Sequence, residues 1–239
     1  PGGAGGREPV ATLYHWDLPS KLEANGGWLN REVVAHFADY AGVCFKHLGK
    51  YVRRWVTINE PWTQCVLGYA FGIHAPGRRE FPGTEPYQAA HHMLLAHAQA
   101  ARAFRQLPGA SGGDGQIGLA LNTEWYEPMD PADPADQAAQ RRMFAFNLDW
   151  FADPVYFGDY PEEMRSACGD RLPRFSEEEQ ELLVGSCDFF GLNTYSARYV
   201  GKPSFLRQLA AQPGTLLGIS YIAEQVHRLL RQPDAAFPA

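Results

Sequence analysis

Cysteine is scarce. Cys44, Cys65, Cys168 and Cys187 are the four in a chain of 239 residues. None lies in C-x-x-C spacing, so neither a disulfide scaffold nor a cysteine metal site is indicated, and free buried thiols are expected. His91, His92 and His97 share one segment, but with no His-Glu-x-x-His pattern around them they read as helix packing or surface residues, and no metal is expected. Net charge is −6 with both signs scattered. The adjacent arginines 53–54, 78–79 and 141–142 are the only notable basic pairs, so no basic stripe points to a nucleic-acid partner. No apolar run approaches the roughly 18 residues that a membrane-spanning helix needs, so no membrane partner is expected. No charged stretch followed by an apolar one opens the chain, which shows no secretory leader; the expectation leans to a cytoplasmic protein. No internal repeat is visible.

Short apolar runs alternate instead with amphipathic segments, the pattern of a parallel α/β fold. Residues 10–16 read as a strand and 30–48 as a helix. Val33, Val34, Phe37, Ala41, Cys44, Phe45 and Leu48 fall on one helical face, with Asn30 as the cap and Gly49 as the stop. Residues 54–58 form a second strand. A long Gly/Pro-containing loop then leads to a helix from Thr84 or Glu85 to about Gln106. After a Gly-rich loop at 108–115, residues 116–122 form a third strand. Helices follow near 136–150, 162–168 and 176–184. The last opens with a Ser-x-x-Glu capping box from Ser176 to Glu179. A fourth strand spans 187–193.

Each strand ends in a polar or aromatic cluster: His15-Trp16-Asp17, Asn59-Glu60, Asn122-Thr123-Glu124-Trp125 and Asn193-Thr194-Tyr195. Active sites of (β/α)8 barrels lie at the C-terminal ends of the strands. A doubly wound nucleotide-binding sheet would put a Gly-rich turn after its first strand. Asp17-Leu18-Pro19 stands there instead, which favours the barrel; no cofactor is expected.

Glu60 carries the chemical interest. It leaves the apolar strand Trp55-Val56-Thr57-Ile58 at a position where partial desolvation raises a carboxyl pKa, as a proton donor to a glycosidic oxygen requires. A surface glutamate opening a loop fits the same spacing. Asn59 and His15 are candidates to bind sugar hydroxyls and Trp16 to stack on a sugar face, although a satisfied histidine beside a core tryptophan is the commoner arrangement. Asp17 reads as a turn residue. Tyr195 either reaches into a pocket or packs.

Longer motifs shift this balance. Thr12 to Pro19 (TLYHWDLP), Gly26-Gly27-Trp28 and Trp55 to Pro61 (WVTINEP) are followed in order by His74-Ala75-Pro76-Gly77, the stretch 91–98 (HHMLLAHA) and Asp188 to Asn193 (DFFGLN). Together they resemble the successive signatures of the β-glucosidases of glycoside hydrolase family one, over about residues 10–202. The resemblance implies a (β/α)8 barrel of which this chain holds strands equivalent to three through six. It implies a retaining glycosidase with Glu60 as acid/base, and His15, Trp16, Asn59 and Asn193 as substrate-binding residues. Tyr195 would match the tyrosine that hydrogen-bonds the nucleophile, and the partner would be a small β-glycoside or oligosaccharide. Where the family usually has Asn-Tyr-Tyr, this chain has Asn193-Thr194-Tyr195, so the middle ring is lost.

The nucleophile is missing. The family places it in a Thr-Glu-Asn-Gly motif, and none occurs here. Glu224 is the only glutamate beyond the fourth strand. It lies within residues 203–239, a tail without clear family match, just as residues 1–9 form a Gly-rich stub. Glu124 and Glu127 do not replace it; they sit in a third-strand loop that the family uses mainly for packing and the aglycone side. Two readings follow: a fragment of an active β-glucosidase, inactive by itself, or a catalytically dead klotho-like relative that binds glycans or a protein.

Overall fold

The computed structural model describes residues 8–107 and 115–201. Expectations for the Gly-rich stub, for 108–114 of the glycine-rich loop, for the tail and for Glu224 lie outside the described residues. Strand β1 (Val10–Tyr14) is followed by the short α1 (Ser20–Ala24), a 3-10 turn at Gly27–Leu29 and α2 (Glu32–Leu48). Next come β2 (Arg54–Asn59), α3 (Pro61–Tyr69), α4 (Glu85–Gln106), β3 (Gln116–Asn122) and β4 (Trp125–Pro128). Then α5 (Pro134–Phe144) passes through a π-helical turn at Ala145–Asp149 into α6 (Trp150–Phe157). The described chain ends with α7 (Glu162–Cys168), a 3-10 turn at Gly169–Arg171, α8 (Glu177–Leu183), β5 (Phe189–Asn193) and β6 (Ala197–Val200).

β1, β2, β3 and β5 form one parallel sheet in that order. The central β2 is buried from Trp55 to Asn59. A strand covered on both faces reads as a continuous apolar run, which is why β2 is plain in the sequence. β5 is an edge strand among the described residues, and Phe190 and Leu192 are both exposed. β4 and β6 form a separate parallel pair beyond the sheet.

Helix α4 is the keystone of the core. It packs on α2, α3, α6, α8 and the sheet, and is buried on nearly every side. Alanines at 89, 90, 96, 98, 100 and 101 let its neighbours come close and suit a helix interior. His91 and His97 are held there neutral. Burial pushes His91 down to about 4, with Glu179 opposing, and His97 down to about 3. His91 Nδ1 meets the Tyr160 hydroxyl at 3.0 Å, and its ring stacks on Phe175 with centroids 4.4 Å apart. His97 Nδ1 meets Thr57 Oγ1 at 2.7 Å, linking α4 to β2. These histidines are buried packing residues, one of the two readings that the sequence leaves open.

Several boundaries differ from the sequence expectation. β1 stops at Tyr14 because Trp16 turns to φ +74°. α2 begins at Glu32, and Asn30 caps from two residues outside by accepting the Glu32 N–H at 3.0 Å. The segment after Glu60, expected as a loop, contains α3. That helix is buried along most of its length, including Thr63 and Gln64, so it shows no clean apolar stripe. Gly68 belongs there because a Cβ at that position would lie 2.7 Å from the Ala75 carbonyl oxygen. The expected single helix near 136–150 is split by the π turn, and β4 and β6 are short strands that the sequence reading passes over. No described helix is long and apolar enough to cross a membrane.

Candidate active site

The C-terminal ends of the parallel strands meet at one mouth. β2 changes register against β3 between Val56 and Asn59, and the Glu60 N–H then donates to the Ala120 carbonyl at 2.7 Å. Glu60 takes φ +47°, ψ +61°, the left-handed region, and Pro61 immediately starts α3. An unstrained extended or helical backbone would aim the residue elsewhere; the combination of bulge, left-handed residue and proline sets the carboxyl at the strand lip.

Both oxygens of that carboxyl are engaged. Asn193 Nδ2, from the end of β5, donates to Glu60 Oε1 at 2.8 Å. Thr63 Oγ1, on the first turn of α3, donates to Oε2 at 3.1 Å. Asn193 Nδ2 also reaches Asn59 Oδ1 at 3.2 Å, and Asn59 Nδ2 lies 3.2 Å from His15 Nε2. Trp16 Nε1 donates to the Asn59 carbonyl at 2.8 Å, and its ring lies between His15 and His74 at centroid distances of 5.0 and 5.4 Å. Like Glu60, Trp16 has a positive φ, so non-glycine residues in the left-handed region cluster at this mouth.

The structure therefore joins His15, Trp16, Asn59, Glu60 and Asn193 into one hydrogen-bonded group. Tyr195 is not in it; the side chain stands 83% exposed. Asp17 fixes the turn as expected, accepting the His15 N–H at 3.2 Å. Glu124 is tied up in an ion pair with Arg198 and accepts the Ser196 hydroxyl at 2.8 Å, while Glu127 accepts Trp125 Nε1 at 2.7 Å. Neither is a spare carboxylate. Thr63 is the site residue that sequence reasoning missed. The signal was its i+3 spacing from Glu60, which places a hydroxyl over a preceding carboxyl only once α3 is known to be a helix. Asn122 pairs with Asn193 in register, and its Oδ1 is buried with no hydrogen-bond partner among the described residues. No cluster of His, Cys, Asp or Glu suited to a metal ion occurs among the described residues.

A carboxyl is thus held at the strand ends of a parallel β/α sheet, beside amide and imidazole groups and an indole. The comparisons give the family. A family model described as "Glycosyl hydrolase family 1" matches residues 4–214, and the chain belongs to that family. It is similar to Beta-glucosidase 42 of Arabidopsis thaliana, 50% identical over 201 residues that make up 83% of this chain and 41% of that protein. Beta-glucosidase 6 of Oryza sativa subsp. japonica is 45% identical over 207 residues, 82% of this chain and 39% of that protein. Among solved structures, a rice β-glucosidase superposes with a TM-score of 0.78 at 45% identity, covering 80% of this chain and 42% of that one. A β-glucosidase of the fungus Humicola insolens, solved with glucose, gives 0.77 at 44% identity over 81% of this chain and 42% of that one. The four parallel strands are thus part of a (β/α)8 barrel, and the chain spans about 40% of the length of the curated relatives it matches.

Proposed function

We propose that this chain supplies the acid/base half of a retaining β-glucosidase site, with Glu60 as the proton donor and acceptor. The observation that carries the reading is Glu60 itself: a strand-end carboxyl aimed by a left-handed backbone and held at both oxygens by Asn193 and Thr63. Asn59, His15 and Asn193 supply polar atoms for sugar hydroxyls, and Trp16 offers an apolar face beside them. A small β-glycoside or oligosaccharide is the matching substrate class, and Tyr195 is the candidate to support a nucleophile brought in from beyond the described residues.

In such a site Glu60 gives its proton to the glycosidic oxygen as the bond from that oxygen to the anomeric carbon breaks. A second carboxylate, about 5–5.5 Å away in retaining enzymes, takes the glycosyl group. Glu60, now ionised, removes a proton from the water that releases the sugar and so regains its acid form. The family motif for the second carboxylate, Thr-Glu-Asn-Gly, is absent from this sequence. The second reading is a klotho-like relative that holds a glycan without cleaving it.

The test is leaving-group dependence. In a protein in which this segment is joined to a nucleophile-bearing remainder, Glu60→Gln removes the acid and keeps the shape. Glycosylation should slow steeply for alkyl glucosides and far less for activated aryl glucosides, which need little protonation. Equal loss on both removes the acid assignment. Glucoside binding without turnover in the joined protein favours the klotho-like reading.

A further inference from the structure

The polar groups around Glu60 are not interchangeable, because amide nitrogens only donate and amide oxygens only accept. Asn193 Nδ2 stands between two oxygens, Glu60 Oε1 at 2.8 Å and Asn59 Oδ1 at 3.2 Å. Its two hydrogens serve both. Turned over, its carbonyl oxygen would face two acceptors with no proton between them. Asn59 is fixed in turn: its oxygen takes the Asn193 hydrogen, and its nitrogen faces His15 Nε2 at 3.2 Å. His15 Nε2 is then an acceptor, and the ring proton of the neutral imidazole sits on Nδ1. Donation runs outward from Asn193, one way through Asn59 to His15 Nε2 and the other way to Glu60 Oε1.

The other carboxyl oxygen meets a different kind of partner. Thr63 Oγ1, 3.1 Å from Oε2, belongs to a hydroxyl that donates to a carboxylate and, after rotating, accepts from a carboxylic acid. Thr63 itself is 8% exposed, so its choice of partners is narrow.

We infer that Asn193 decides which oxygen of Glu60 carries the acid proton: Oε1 is kept as an acceptor and the proton resides on Oε2, beside the Thr63 hydroxyl. A proton on Oε1 would meet an Asn193 hydrogen head to head. Relieving that clash would require Asn193 and Asn59 to turn over together and His15 to change tautomer. A proton on Oε2 requires only that a hydroxyl rotate. Asn193 and Thr63 are positioning residues that act through Glu60, and the leaving-group oxygen is received on the Thr63 side. The catalytic weight of this placement rests on the reading of Glu60 as acid/base, whereas the placement itself is read without turnover.

The amide of Glu60→Gln is a fixed analogue of the protonated acid, its nitrogen marking the oxygen that holds the proton. In an isotope-labelled 239-residue chain carrying E60Q, the introduced side-chain amide protons should show contacts by nuclear Overhauser effect to the Thr63 methyl and none to the Asn193 amide protons. Thr63→Ser in the same background should keep this orientation. Asn193→Asp puts an acceptor where the donor was, so the E60Q/N193D chain should reverse it, with the amide protons turned towards position 193. A merely structural role for Asn193 predicts no reversal. The unmodified chain supplies a second reading that needs no variant to fold: the nitrogen shifts of neutral His15 should show Nδ1 protonated and Nε2 bare. E60Q amide protons facing Asn193 in the single variant, an unchanged orientation in the double variant, or an Nε2–H tautomer of His15 each overturn the inference. Loss of the acid role in the leaving-group test, with these orientations intact, would sink the functional reading alone.

Discussion

Asn193 Nδ2 and Glu60 Oε1 lie 2.8 Å apart although 133 residues of chain separate them. The contact crosses the end of β3, which stands between β2 and β5 in the sheet. It therefore depends on the register of three strands at once and reports whether the mouth is assembled.

Replacing Asn193 by Ala leaves Glu60 Oε1 and Asn59 Oδ1 without their shared donor. Leaving such partly buried acceptors unpaired costs about 1–3 kcal/mol. The urea midpoint of N193A should fall accordingly, with the slope of the transition unchanged. A midpoint equal to that of the unmodified chain would mean that water replaces the amide freely.

The chain by itself should not turn over. With no Thr-Glu-Asn-Gly segment present, the carboxylates at the neighbouring strand ends, Asp17, Glu124 and Glu127, are engaged by the His15 N–H, Arg198 and Trp125. Purified chain should hydrolyse an activated aryl β-glucoside no faster than its Glu60→Ala variant. Turnover above that control would direct attention to Glu224 first, since it is the only glutamate beyond β5.

Acid should weaken the fold before carboxylates with ordinary values titrate. The folded values of His91 and His97, about 4 and about 3, lie below the ordinary 6.5. Between 6.5 and those values the unfolded chain binds protons that the folded chain refuses, so stability falls as pH drops through that window and is fully present above it. The loss is on the order of 1.4 kcal/mol per pH unit for each histidine inside the window. Thermal unfolding followed from pH 7.5 to 5 should show the midpoint falling, and His91→Gln should flatten the curve.

Asp153 works in the opposite sense. Burial, then repulsion from Asp149 and Glu163, raises its carboxyl to about 6, so the folded chain holds a proton there that the unfolded chain releases above about 3.8. The resulting penalty grows as pH rises from 3.8 to about 6 and is complete above that. Asp153→Asn should raise the melting midpoint at pH 7.5 and leave it nearly unchanged at pH 4. A gain equal at both values would trace to something other than charge.

Gly68 tests the packing of α3. A Cβ there would meet the Ala75 carbonyl oxygen at 2.7 Å and Pro76 Cδ at 3.2 Å. Neither is the end of a flexible side chain, so Gly68→Ala should destabilise by about 1–3 kcal/mol, the usual cost of overpacking. This would show as a lower denaturant midpoint.

What the sequence made legible follows from which faces are buried. β2 and β3 lie inside the sheet and read as apolar runs, and α4 showed its ends through Glu85 and Gln106. The Ser176 box appears as expected, with both of its hydrogen bonds formed. α3 was invisible because burial reaches its polar residues as well as its apolar ones, which erases the period. Thr63 was lost with it. Asn59, Glu60, His15, Trp16 and Asn193 come together because each lies at a strand end, and strand ends of a parallel sheet converge. Tyr195 also follows a strand, but it lies beyond the last paired residue of β5, where register no longer dictates direction.

The left-handed turn at Glu60 sets folding and chemistry at odds. A residue with a Cβ sits in that region at a cost of order 1–3 kcal/mol, from which glycine is exempt and asparagine partly so. A chain selected for stability alone would put glycine at the exit of β2. It carries there instead a long acid, whose backbone cost is offset by contacts with Asn193 and Thr63. Position 60 thus behaves as a sprung mount. The strain comes from the Cβ, so Glu60→Gly relieves it and need not weaken the fold, whereas Ala or Gln at this position keeps it.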